Sequence, residues 1–476
     1  MNFRHIALLS LMFLSLPGGA AAQTPLVAAT GLRNPVKLVP TDGGNLVVTE
    51  QGNGPNTGRV SRVSLCGASL TLLSGLPAGP EPRGLPSGPS GIELQGNRIY
   101  VAIGAGDATV LGPVPPTEIA NPAGPSSPLL SSILQVDFGV DIDELQSGFV
   151  LSRVSHDVLK SGAPVTLVNA QGATATVSLL VDFPDFTDDP ILIKRVANPF
   201  ALALSGNLLY LADASQNAVI RIDLTTGIAT RLATLVPLVN PLPLGPPRID
   251  PVPDGIRFFN NRLLVTLLSG FPFPTGRAEV LSLDPVTGQV QSGLTGLTTA
   301  IDVFPLVTVN GGQEFYVLEH STNQLATAPG RLLHFASATA TPEVLTASLL
   351  APTGFTRDPR SGDIFIAQIF AGQIVQVPGD LFDISLEDDE TGDSLRFNSH
   401  TGEYLFVSCR TGRQLSGIGH VTRVGCRTRL RSARVNAQVE GCFGLKRGSA
   451  TLDLPDLGAS ISISDRNIGN NRIPGR

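Results

Sequence analysis

The chain has no Trp, only 4 Tyr and 2 Met, and 4 Cys among 476 residues. Without Trp, and with so few Tyr, the flat rings on which bases and sugars stack are scarce, which argues against single-strand nucleic-acid binding and weakens the case for sugar stacking. No C-x-x-C pair occurs, so zinc chemistry of the usual spacing is not expected. The G-x-S-x-G elbow, the phosphate loop and the dinucleotide fingerprint are all missing. After the N-terminal segment, no apolar run reaches the roughly 20 residues needed to span a bilayer as a helix. A formal net charge of −6 is too mild to point to a partner by itself.

What is present in excess is Gly 51 and Pro 38, with 42% apolar residues and a mean hydropathy of +0.20. That combination fits a globular chain of many short strands joined by turns. Residues 1–22 have the form of a secretory signal: Arg4 and His5, an apolar run from Ile6 to Leu16, then Ala20-Ala21-Ala22 before Gln23. Cleavage after Ala22 and a secreted or periplasmic location are the expectations.

One pattern recurs six times: a proline-led turn, a short apolar strand, an Asn/Gly turn, and a second strand. Pro35, Pro89, Pro199, Pro253 and Pro352 mark five copies, with Ala300 in the proline slot of the other. The second strands include Leu46-Val47-Val48-Thr49, Leu209-Tyr210-Leu211-Ala212 and Ile364-Phe365-Ile366-Ala367. Successive slots are 54, 110, 54, 47 and 52 residues apart. Such periods of about 50 residues predict an all-β, six-bladed β-propeller over 23–383, with a long insertion at about 139–190. Seven blades are the alternative, a seventh lying in the long interval. The segment Pro25 to Thr30 is positioned to supply an outer strand that closes the ring. An acidic linker is expected over 384–393, then a basic β module over 394–476, where 13 Arg and Lys stand against 5 Asp and Glu. Three of the cysteines, Cys409, Cys426 and Cys442, lie in that module, which predicts one disulfide there, Cys409 with Cys426 preferred, and one free thiol.

In a propeller the start of each first strand and the end of each second strand share a face. The residues at those positions place Glu50, Asp213, Asp254, Asp302 and Glu319 at one mouth of the channel, with His320 beside Glu319 as the candidate general base. Long loops fall on the same face, which makes it the expected binding surface. Phe200, Ile103 and Leu267 are available as an apolar wall. The remaining histidines, and the acidic loops around Asp182, Asp185, Asp188 and Asp189 and around Glu387, Asp388, Asp389 and Glu390, show no ligand spacing. In the tail, Arg427, Arg429 and Arg431 alternate along one strand and share a face, a stripe suited to an anionic extracellular polymer or to blunting a sheet edge.

The segments Asn198-Pro199-Phe200-Ala201-Leu202, Gln216-Asn217-Ala218-Val219-Ile220-Arg221-Ile222-Asp223, Pro253-Asp254-Gly255, Leu268-Ser269-Gly270-Phe271-Pro272-Phe273-Pro274 and Tyr316-Val317-Leu318-Glu319-His320 resemble the ScyD/ScyE family of secreted propellers, over roughly Thr30 to Pro378. The resemblance implies a link to making the extracellular pigment scytonemin, and an architecture shared with NHL repeats and calcium-dependent lactonase propellers. It thereby implies a possible channel Ca2+ held by Glu50, Asp213, Asp302 and Glu319. Two slots that carry Asp in the family are Gly91 and Ala201 here. The readings carried forward are a binding or scaffold protein that uses the channel-mouth loops for a small molecule, a protein or an anionic polymer, and a metal-dependent hydrolase of the lactonase or gluconolactonase type.

Overall fold

The computed structural model describes residues 22–465, apart from 114–116, 187–195, 309–310, 380, 383, 389, 425–426, 441–446 and 455–458. The predicted signal segment therefore lies outside the described residues, except for Ala22. Six four- or five-stranded sheets, antiparallel except for one edge strand added to the first, follow one another along the chain, each with its first strand at a predicted proline slot: Pro35–Pro40, Pro89–Gln95, Pro199–Ser205, Pro253–Phe259, Ala300–Val307 and Pro352–Arg357. These first strands pack side by side in chain order, and the last packs against the first. The ring is a six-bladed propeller, and blades 1 to 6 are named here in that order. Leu26–Ala29 pairs with Gln373–Val377 and completes blade 6, so the ring closes with a strand from the N-terminal side, as its position predicts.

The strand pattern follows from burial. Second strands such as Leu46–Glu50 and Ile364–Gln368 are buried along their whole length, packed between neighbouring blades, and they read as unbroken apolar runs. Every first strand shifts register within three residues of its slot, a bulge that aims the following side chains into the channel. Two residues past the slot stand Gly91, Ala201, Gly255 and Gly354, and a Cβ built on Gly354 would lie 2.6 Å from the Val36 carbonyl. Close approach of adjacent blades excludes larger side chains at these positions, and Lys37 and Asp302 are the two exceptions.

The long interval is the elaboration of blade 2, and it is shorter than the expected 139–190. Thr174–Asp182 pairs with Ser132–Phe138 as an ordinary fourth strand, and Val165–Val168 adds a fifth. What intervenes reaches back to blade 1, where Phe149–Val150 pairs in parallel with Ser69–Leu76. The helix Arg153–Lys160 is capped by Ser152.

The tail forms two further sheets. The stretch expected to be an acidic linker instead contributes the strand Ile384–Glu387, with Ile384 and Leu386 buried, in a sheet with Ser394–Phe397, Glu403–Val407 and Gln414–Ile418. Charge drew attention there, while the alternation of Ile and Leu decides the structure. The five-stranded second sheet runs from His420–Val424 to Ala459–Asp465. The predicted pairing of Cys409 with Cys426 is corrected: Cys409 bonds Cys66 of blade 1, across 343 residues. Cys426 and Cys442 lie outside the described residues.

Candidate functional site

The face from which first strands start is termed the top. It carries the turns between second and third strands and the crossings from one blade to the next. Each crossing brings buried backbone N–H groups that need acceptors. Glu50 of blade 1 accepts from Arg33 N at 2.5 Å and from Ser61 Oγ at 2.5 Å, and pairs with Arg59 at 2.7 Å. In blade 5, Glu319 accepts from Thr298 N at 2.7 Å and from Arg331 Nε at 2.5 Å. Asp213 of blade 3 accepts from the N–H groups of Asn198, Ser215 and Gln216. In blade 6, Gln368 accepts from Leu350 N at 2.5 Å. In four blades, therefore, one buried acceptor at the end of the second strand holds the chain just before the proline slot. Burial pushes Asp213 up to about 6, against those backbone donors.

Asp302 and Asp254 have a different setting, in first strands beside the channel. Lys37 of blade 1 reaches across to Asp302 Oδ2 at 3.3 Å and the Ile301 carbonyl at 3.1 Å. Arg257 of blade 4 donates to Asp302 at 3.4 Å and to the carbonyls of Phe355 and Val303. The Phe355 N–H of blade 6 also donates to Asp302, at 3.3 Å. Lys37 lies 5.6 Å from the Phe200 ring centroid, and Arg257 6.0 Å from that of Phe304. Side chains thus span the channel at this level. Burial lowers the Lys37 pKa, opposed by Asp302.

Sequence reading did not single out Lys37, Arg257 or Glu93. Glu93, Arg257 and Phe304 all lie four residues past a slot, so extending the same ring reading by one turn of the pleat would have found them. Burial pushes Glu93 up to about 7 from 4.5, with Arg257 opposing and Asp302 adding. Between those values the folded chain binds more protons than the unfolded one, so stability falls as pH rises from about 4.5 through about 7. Glu93→Gln is expected to remove this dependence. Its melting temperature, measured beside that of the wild type, should gain progressively from pH 5 to pH 8; a constant gap would refute the assignment.

The five carboxylates therefore do not converge. Among the described residues, no three His, Cys, Asp or Glu side chains stand close enough together to hold a metal ion. Asp302, the one with the most central setting, is already shared by an ammonium and a guanidinium that would repel a cation. Glu50 and Glu319 spend their oxygens on backbone N–H groups, Ser61 and arginines. Asp213 spends Oδ1 on three backbone N–H groups, and its buried Oδ2, without a partner among the described residues, is a single oxygen where Ca2+ needs about six or more. The residues present do not fit a channel Ca2+.

His320 is at the top, with Nδ1 donating to the Pro352 carbonyl at 2.8 Å, which leaves Nε2 as the lone-pair nitrogen. Burial lowers its pKa, keeping the ring neutral. A second imidazole, not singled out from sequence, forms a couple with a serine: Ser127 Oγ and His156 Nδ1 are 2.9 Å apart, and His156 Nε2 meets the Gly75 carbonyl at 2.8 Å. Both residues have 0% exposure. This couple ties the helix and the top loop of blade 2 to blade 1, out of reach of any substrate.

The top loops share one further property. Leu85, Leu111, Leu242, Leu244, Phe271, Leu325, Leu350 and Phe370 are all exposed and all lie in top connections. Apart from Leu26 on the closing strand, no other Leu or Phe among the described residues is exposed; elsewhere the exposed aliphatics are Val and Ile. The Gly270-Phe271-Pro272-Phe273 turn is fastened by Ser269 N and Gly270 N to the carbonyls of Pro251 and Asp250. Its two rings meet edge to face at 6.4 Å.

These features define a six-bladed β-propeller with its loops displayed at one face. No protein-family model and no curated protein matches the chain. Among solved structures it is similar to the PQQ-bound aldose sugar dehydrogenase of Streptomyces coelicolor, at 15% identity over 74% of this chain and 96% of that one, with a TM-score of 0.42. It is also similar to a Trichoderma reesei member of carbohydrate-active enzyme family AA12, at 14% identity over 78% and 100%, with a TM-score of 0.38.

Proposed function

We propose that this is a secreted binding protein of the ScyD/ScyE type, which captures an amphipathic ligand on the top loops of the propeller. The observation that carries the reading is the gathering of exposed Leu and Phe side chains at that face. Large apolar side chains held in water at one face, with Leu26 the only other exposed Leu or Phe among the described residues, are what a binding face presents. The buried Gln368 acceptor supports it by fixing the crossing that presents Leu350, and the backbone bonds of Ser269 and Gly270 fix the turn that presents Phe271, which limits the entropy lost on binding. A disulfide between Cys66 and Cys409 is in keeping with an oxidising compartment. Among the described residues no helix is long and apolar enough to cross a membrane.

The test uses the mature chain and the anionic apolar fluorophore anilinonaphthalene sulfonate. The folded protein is expected to enhance its fluorescence, and Phe271→Ser with Phe370→Ser to remove most of that gain without changing the melting curve. Enhancement that ignores both substitutions would overturn the reading. So would calcium-dependent turnover of δ-valerolactone or p-nitrophenyl acetate that is lost in His320→Ala, which is the outcome expected of a hydrolase.

A further inference from the structure

The tail is built in layers, and the order of those layers decides what its outermost face meets. Glu403–Val407 is buried from Tyr404 onward, on both of its faces. Leu405 and Val407 pack with Leu65, Cys66, Leu381 and Phe382 at the bottom of the propeller. Tyr404 and Phe406 point the other way, into a core shared with Leu430, Val435, Ala437, Val439, Ala450 and Leu452 of the second sheet. The second sheet is thus the layer farthest from the propeller, and its outer face looks away from the top loops.

The described side chains of that outer face are polar. Register places His420, Arg431, Asn436 and Thr451 in one cross-strand row and Thr422, Arg429, Gln438 and Ser449 in the next, with Arg427 further along the same strand. His420, Thr422, Arg427, Arg431, Asn436, Ser449 and Thr451 are exposed, and Arg429 and Gln438 partly so. A third row on the same face sets Arg427 between Val424 and Glu440, with Arg447 beyond, so cations outnumber the acid there. Arg429 Nε donates to Gln438 Oε1 at 2.9 Å, a bond along the row. Alternate residues of a strand are about 6.8 Å apart, so Arg427, Arg429 and Arg431 issue from about 14 Å of one strand on one face.

We propose that this face binds a linear acidic polysaccharide bearing carboxylates along its length. Guanidinium groups take carboxylates two-pronged, and a row of them engages a repeating polyanion at several points in register. Asn436, Gln438, Ser449, Thr451 and Thr422 supply donors and acceptors for ring hydroxyls beside that row. A lipid surface is the poorer match, because stable insertion needs several apolar side chains next to the cations, and register sets one apolar residue, Val424, beside the arginine strand on this face. The tail's excess of 13 Arg and Lys over 5 Asp and Glu, in a chain whose net charge is −6, orients the molecule so that this end meets the polymer.

Co-sedimentation or calorimetry of the full mature chain with polygalacturonate tests the proposal, with dextran as the neutral polymer and phosphatidylglycerol vesicles as the lipid arm. Binding to polygalacturonate is expected, weakening steeply with salt. It should fall at least tenfold in Arg427→Gln/Arg429→Gln/Arg431→Gln and recover in part when the three are Lys. Because three changes could disturb the sheet, Ser449→Glu with Thr451→Glu, both on exposed positions of the same face, gives an independent reading and should also weaken binding. Polygalacturonate binding that neither variant alters, binding to dextran of equal strength, or binding to vesicles alone would each overturn the assignment.

Discussion

Asp302→Ala is expected to destabilise the propeller by about 3–5 kcal/mol, the cost of leaving buried charge without its partner. The carboxylate takes Lys37 from blade 1, Arg257 from blade 4 and the Phe355 N–H from blade 6, so its removal strands the buried Lys37 ammonium and leaves the partly buried Arg257 with carbonyl partners only. For a domain of this size, that lowers the melting temperature by roughly 4–7 °C. Lys37→Met together with Asp302→Leu, which withdraws charges of both signs, should recover much of the loss, since apolar replacements of a buried pair are often close to neutral. Calorimetric melting of the three proteins checks both statements. If Asp302→Ala melts within a degree or two of the wild type, the channel network does not hold the blades together.

The second large effect concerns the tail. Opening Cys66–Cys409, by reduction or by Ser at both positions, frees a loop of 343 residues. The chain-entropy model sets an upper bound of about 5–6 kcal/mol on what such a crosslink contributes. The tail would then rest on Arg396, which meets both carboxylate oxygens of Asp363, on Gln414 between Arg360 and the Gly44 carbonyl, and on the small apolar contact with Leu65. The expected result is a split melting transition and rapid protease cleavage between Val377 and Ile384, where the last blade strand ends and the tail sheet begins, while the blades stay folded. A single unshifted transition after reduction would show that the noncovalent contacts suffice. Peptide mapping that joins Cys409 to Cys426 would refute the bridge itself.

The blades were legible because a proline slot followed by paired apolar strands is a local pattern, repeated often enough to fix strand order and ring closure. Side-chain direction was less legible. Glu50 and Glu319 sit at strand ends, near the mouth in sequence terms, but the pleat turns them toward Arg59 and Arg331 on the third strands. Position along a strand was readable, and facing was not, because the bulge near each slot shifts the alternation by one. Lys37, Glu93 and Arg257 were passed over because their roles come from partners on other blades, which no local pattern announces. Spacing among the tail cysteines pointed inward to the tail, whereas Cys66 became the partner through tertiary placement alone.

The tail grips turns of blade 1 and blade 6 together: Gly44 and Cys66 on one side, Arg360 and Asp363 on the other. Those are the two blades whose junction closes the ring. A pull between a surface held by the tail and a ligand held at the opposite face would therefore not run along the connecting backbone alone. It would divide between two anchorages that straddle the closure, one of them covalent, and would press the first and last blades into shared load instead of peeling one from the other.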